Sequence, residues 1–114
     1  MFTGYQGFLD VSRTATIANG QQVSNAINLN GFVLVAVLLP AAFTGTALTF
    51  QGSLDGTNFF DMKKSDGTAL SYTVAQGTFV PIDPTLFHGL AAVKLKSGSA
   101  EGAQRTLAVA VKGF

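Results

Sequence analysis

The stretch "LTFQGSLDGTNFFDMKKSDGTALSYTV", residues 48–74, holds two Asp-Gly pairs, Asp55-Gly56 and Asp66-Gly67, each set between alternating apolar segments. Leu48, Phe50 and Leu54 share one parity, and Thr49, Gln51 and Ser53 share the other. A period of two is the signature of a half-buried strand, because successive side chains point to opposite faces. Asp55-Gly56-Thr57-Asn58 reverses the chain, and Phe59-Phe60 begins the return strand. The segment 63–67 then turns the chain again, into a strand with Leu70, Tyr72 and Val74 facing in.

The same grammar extends in both directions. "VSRTATI" (11–17) places Val11, Ala15 and Ile17 on one face and Ser12, Thr14 and Thr16 on the other. Asn19-Gly20 leads into "VSNAINL" (23–29), and Asn30-Gly31 leads into "FVLVAVLL" (32–39), which ends at Pro40. Asn-Gly suits such turns because both central residues can adopt positive φ at low cost. Further strands are expected at 78–82, 91–96 and 105–112, and one helical turn at "DPTLFHGL" (83–90). Eight or nine short, evenly spaced strands predict an all-β fold: a two-sheet antiparallel sandwich of jelly-roll type. The reading is of a single domain over 1–114, with residues 1–10 as an N-terminal arm.

Composition narrows the function. Charged residues make up 11% of the chain, against roughly a quarter in an average soluble domain, so an uncharged surface must face something. No basic run exceeds Lys63-Lys64, which argues against a nucleic-acid partner. "GFVLVAVLLPAAF" (31–43) is too short for a helical membrane span, and no membrane or export signal is expected. There is no Cys and one His, His88, which removes thiolate chemistry and His-pair zinc sites. His88 itself reads as a packed or solvated loop residue. Asp55, Asn58 and Asp61 could offer oxygens to calcium at a corner, but Asp55 and Asp66 have turn roles to fill and the spacing fits no calcium loop. No nucleophile elbow or phosphate-binding loop is present. No enzyme activity, metal or cofactor is expected. Phe59 and Phe60 beside a turn leave a sugar-stacking surface open.

In "FVLVAVLL" both parities are apolar, with Phe32, Leu34, Ala36 and Leu38 on one side and Val33, Val35, Val37 and Leu39 on the other. A sandwich strand ordinarily buries one face only. A second subunit, or the arm with Phe2, Tyr5 and Phe8, is expected to cover the face carrying Val33, Val35 and Val37. Those six residues are the expected interface. At the turns, Gly56→Val is expected to destabilise more than Ser97→Ala, because Gly56 needs positive φ whereas Ser97 sits beside a small polar loop.

The block "LPAAFTGTALTFQGSLDGTNFFDMKKSDGT" (39–68) resembles a pattern in small tailed-bacteriophage and prophage proteins. There, a Pro-ended apolar strand precedes "LTFQ-S-DG-NF" and a second Asp-Gly turn follows. "LKSGSAEGAQRTLAVAV" (95–111) is similar to the strand, polar loop and basic-headed final strand of that group. The resemblance implies a virion structural protein of the capsid cement or decoration type. It would be a homotrimer bound to the phage major capsid protein on the capsid exterior, made in the host bacterial cytoplasm. The "S-DG-x-F" portion is also similar to discoidin-like carbohydrate-binding jelly rolls, although Phe59 stands where that type has tryptophan and the terminal cysteines are missing. A glycan-binding or adhesion module of a head or tail fibre, or a tail or neck component, are the alternatives this leaves.

Overall fold

The computed structural model describes residues 12–113. Nine strands follow in order: β1 (Ser12–Ile17), β2 (Ile27–Asn28), β3 (Val33–Leu38), β4 (Ala47–Ser53), β5 (Phe60–Asp61), β6 (Ser71–Thr73), β7 (Phe79–Pro81), β8 (Ala92–Ser97) and β9 (Arg105–Lys112). They form two antiparallel sheets, ordered β1-β9-β3-β7 and β2-β8-β4-β5, with β6 also on β4. Successive strands therefore cross from one sheet to the other, apart from the β4-β5-β6 run, and the last strand lies between the first and the third. This is the wrapped order of a jelly roll.

The turns follow local chemistry. The Phe32 N–H donates to Leu29 O at 2.8 Å, across Asn30 (φ 50) and Gly31 (φ 83). Two positive φ values make this the hairpin type that Asn-Gly favours. At Asn19-Gly20 only the glycine has positive φ, so that turn is of a different type from the one expected. Asp83 caps a 3-10 turn, Pro84–Phe87, by accepting from the Thr85 N–H, as Asp-Pro predicts. "VSNAINL" contributes only the two-residue β2, with isolated bridges at Ser24 and Val23.

The second Asp-Gly does not do what its sequence suggests. β5 and β6 are both antiparallel to β4, pairing Gly52 with Phe60 and Thr49 with Ser71. They therefore run in the same direction along one edge. The segment between them is a small outward hairpin, closed by a Lys63–Ala69 bridge and by Leu70 N–H donating to Met62 O. The chain then resumes its former course.

The core lies between the sheets and includes Ile17, Leu34, Val37, Leu48, Phe50, Phe87, Leu95 and Leu107. Phe50 sits at its aromatic centre, edge-on to Tyr72 and Phe87 at 5.8 and 5.1 Å. Gly52 lies on the inward parity of β4, where a Cβ would come within 3.3 Å of Leu90 and Met62. The missing side chain thus lets those two residues close over the end of the strand.

The alternation read along β3 is corrected by a β-bulge. Leu34 pairs with Val111, but Ala36 pairs with Ala110 and Val37 with Val109, leaving Val35 as the extra residue. One extra residue reverses the side to which later side chains point. Leu34 before the bulge and Val37 and Leu39 after it therefore all enter the core, at 1% exposure or less. Val37 is a core residue and Val33 joins the same cluster, so neither is free to serve as an interface. Val35 is half-buried. Phe2, Tyr5 and Phe8 lie outside the described residues.

Candidate functional site: two unlike outer faces

Register places side chains in rungs across the outer face of each sheet. On the β1-β9-β3-β7 sheet, one rung reads Thr14, Ala108, Leu38, Phe79, and the next reads Ser12, Ala110, Ala36, Pro81. Thr16 and Thr106 add a third. None carries a charge, and among the described residues the face's one charged member, Lys112, stands at the strand's far end. Leu38 is 45% exposed and Phe79 62%. The bulge creates this surface, since it turns Leu38 outward while keeping Val37 and Leu39 inside. The apolar second side of β3 is therefore real, but it consists of Ala36 and Leu38.

The other sheet presents a different surface. Its rungs read Lys96, Thr49, Ser71 and Lys94, Gln51, Asp61. Gln51 Nε2 donates to Asp61 Oδ1 at 3.0 Å, and Lys94 Nζ lies 4.5 Å from the centre of the Phe59 ring. Lys63 and Lys96 share a depression of about 140 Å³ with Thr49 and Asp61. Phe59 is thus partly covered, whereas Phe60 is 71% exposed. Phe60 lines a cleft of about 430 Å³ with Leu54, Met62 and Leu90 at one end of the sandwich. The two phenylalanines do not form one stacking platform.

The candidate calcium oxygens are engaged elsewhere. Asp55 Oδ1 accepts from the Thr57 and Asn58 N–H groups at 2.8 Å, and Oδ2 accepts from Asn58 Nδ2 at 2.7 Å. These donors, led by the Asn58 backbone, hold the Asp55 carboxyl well below the usual carboxylate range. Asp66 is likewise held low, chiefly by the Thr68 hydroxyl and N–H. Asp61 is turned to Gln51. Among the described residues, no three His, Asp or Glu side chains come together as a metal site. His88, exposed just after the 3-10 turn, lines a second end cleft with Phe32 and Leu90.

A highly connected polar residue is one that sequence reasoning passed over. Glu101 is 1% exposed, and its carboxylate accepts from Thr44 N–H, Gly45 N–H, Ser97 Oγ and Arg105 Nε at 2.7–3.1 Å. Its own backbone bonds Gly20 and Gln21. Burial by itself would raise its pKa, but the Thr44 N–H, Ser97, Arg105 and the Gly45 N–H outweigh it and bring the value from 4.5 to about 2. At one end of the sandwich the Glu101 side chain thus ties the β3–β4 loop to its own β8–β9 loop, and its backbone ties in the β1–β2 loop. Ser97 is fully buried in the same network, not solvated in a polar loop. The four-residue spacing from Glu101 to Arg105 is the one sequence signal for the pair, and it says nothing of burial.

No protein-family model and no curated protein matches the sequence. Among solved structures, the SPBc2 prophage-derived protein YomS is similar over 90% of this chain and 96% of its own, with a TM-score of 0.53 and 14% identity. The Yersinia pseudotuberculosis-derived mitogen is similar over 90% of this chain and 84% of its own, with a TM-score of 0.42 and 12% identity. At 14% identity the likeness to YomS is one of fold.

Proposed function

We propose that this protein is a non-enzymatic structural subunit of a bacteriophage virion, a capsid decoration subunit that docks on the major-capsid lattice through the outer face of the β1-β9-β3-β7 sheet. The observation that carries the reading is the uncharged pair of rungs containing Leu38, Phe79, Pro81 and three alanines. Protein interface cores are depleted in charge and enriched in aromatic residues, and this is the sheet face with that composition. The sequence resemblance to small phage virion proteins points the same way, and a prophage-derived protein of like fold is compatible with it.

The size of the face bears on how it would be used. Four strands of three to eight residues, about 4.8 Å apart, cover roughly 400 Å². A stable two-body interface takes about 800 Å² from each partner. This face alone is therefore suited to weak contact, and a subunit that binds only the assembled lattice stabilises that lattice by mass action. A free homotrimer would need further contacts, for which Phe2, Tyr5, Phe8 and the half-buried Val35 remain the candidates.

The test is addition of purified protein to undecorated capsids. Saturable binding and a higher shell melting temperature are expected, and Leu38→Lys should abolish both. Binding that is undiminished in a folded Leu38→Lys variant would reject the assigned face, and no binding by the wild type would reject the cement role.

A further inference from the structure

The opposite face has a composition that lattice docking does not use. Lys63, Lys94 and Lys96 meet there with one nearby acid, Asp61, which is already bonded to Gln51. Lys64 and Asp66 extend the patch onto the outward hairpin, where Asp66 closes its own turn through Thr68. None of these four lysines makes a salt bridge with a described residue, the ion pair among those residues being Arg105–Glu101. The rungs between the lysines are hydroxyl and amide groups: Thr49, Ser71 and Gln51. No large apolar side chain stands exposed among them, since the one aromatic ring, Phe59, is half-buried beneath Lys94.

That combination decides between partners. A protein partner would want an apolar anchor at the centre, and the described residues of the face offer none. A flat surface of cations interleaved with hydroxyls suits a chain that carries both carboxylates and sugar hydroxyls. The depression between Lys63 and Lys96, about 140 Å³, is of a size for one small group, with the Asp61 carboxylate on its wall engaged by Gln51. We propose that the outer face of the β2-β8-β4-β5 sheet binds an acidic polysaccharide. Its uronate carboxylates lie against Lys63 and Lys96, and its hydroxyls bond Thr49 and Ser71. The lysine charges are exposed or half-buried, so binding weakens steeply with salt. The proposal is independent of the lattice reading, because it uses the other sheet.

Polygalacturonate serves as the probe, measured by calorimetry or by retention on an immobilised column at low and moderate NaCl. Wild-type protein should bind it, release it as salt rises, and ignore neutral dextran. The Lys63→Glu/Lys96→Glu variant should lose at least tenfold in affinity while keeping its melting temperature and its binding to capsids. Should the double charge reversal fail to fold, Lys63→Gln/Lys96→Gln takes its place with the same expectation. Equal binding to polyglutamate or DNA of matched charge would overturn the proposal by reducing it to general charge capture. So would no binding of polygalacturonate at low salt, or undiminished binding by a folded variant.

Discussion

At the scale of the residue, two positions change rank once their surroundings are known. Gly56 has φ 79 and open space around the point where a Cβ would stand, so Gly56→Val is penalised by backbone strain alone, about 1–2 kcal/mol. Ser97→Ala removes a buried donor from an ionised carboxylate, a loss of about 2 kcal/mol by the usual worth of a hydrogen bond to charge. The two variants should therefore melt at comparable temperatures, and not in the order that the sequence suggests. Denaturant titration of both decides it. Glu101→Gln should be worse, at about 3 kcal/mol, because it leaves Arg105 without its carboxylate and sets an amide N–H₂ against backbone donors. Glu101 also sets a pH dependence. Its folded pKa lies below its unfolded value, so its contribution is complete above about 4.5 and disappears as pH falls toward about 2. Melting temperature should decline across that window in the wild type and more shallowly in Glu101→Gln. Asp55 and Asp66 are also held low but are fully exposed, and solvent screens what they add.

At the scale of the element, β3 is the informative strand, because a single bulge converts an ambiguous apolar run into one with assigned faces. Val37 and Leu38 are neighbours in sequence with opposite fates, at 0% and 45% exposure. Val37→Lys should prevent folding, since it places an unpaired charge in the core. Leu38→Lys should leave the circular dichroism spectrum intact and shift the melt by less than about 0.5 kcal/mol, as exposed substitutions do. Similar melts for the two would mean that the bulge is placed wrongly. The β5–β6 segment carries the complementary lesson. Both Asp-Gly pairs reverse the chain, but whether it then starts a new neighbouring strand or rejoins its old line is settled by what β4 offers along its edge.

At the scale of the whole molecule, the sandwich separates two surfaces that differ in charge, with loops at one end tied together through Glu101. The corner carboxylates Asp55, Asp61 and Asp66 take hydrogen-bond partners from within the chain, so folding is expected not to depend on a metal. Thermal melts with and without EDTA should superimpose, and a drop of many degrees on chelation would show that a cation site has been missed. Light scattering of the free protein tests its self-association. A monomer at high micromolar concentration would leave lattice binding standing but remove the free homotrimer.

Strand identity, the Asn30-Gly31 and Asp55-Gly56 reversals, the Asp83 cap and the sandwich class were all legible from residues alone. Each depends on rules that act over two to six neighbours: side-chain period, φ preference, and a short polar side chain reaching its own backbone. Three things were not. The bulge at Val35 exists because β3 must keep register with β9 at both ends, and register is a property of pairs of strands. The burial of Glu101 depends on Thr44, Gly45, Ser97 and Arg105 converging from up to 57 residues away. The contrast between the two outer faces depends on which strands lie side by side, with β9 brought between β1 and β3 and β8 beside β4. Local chemistry specified the strands and their turns, and only long-range pairing decided which side chains meet.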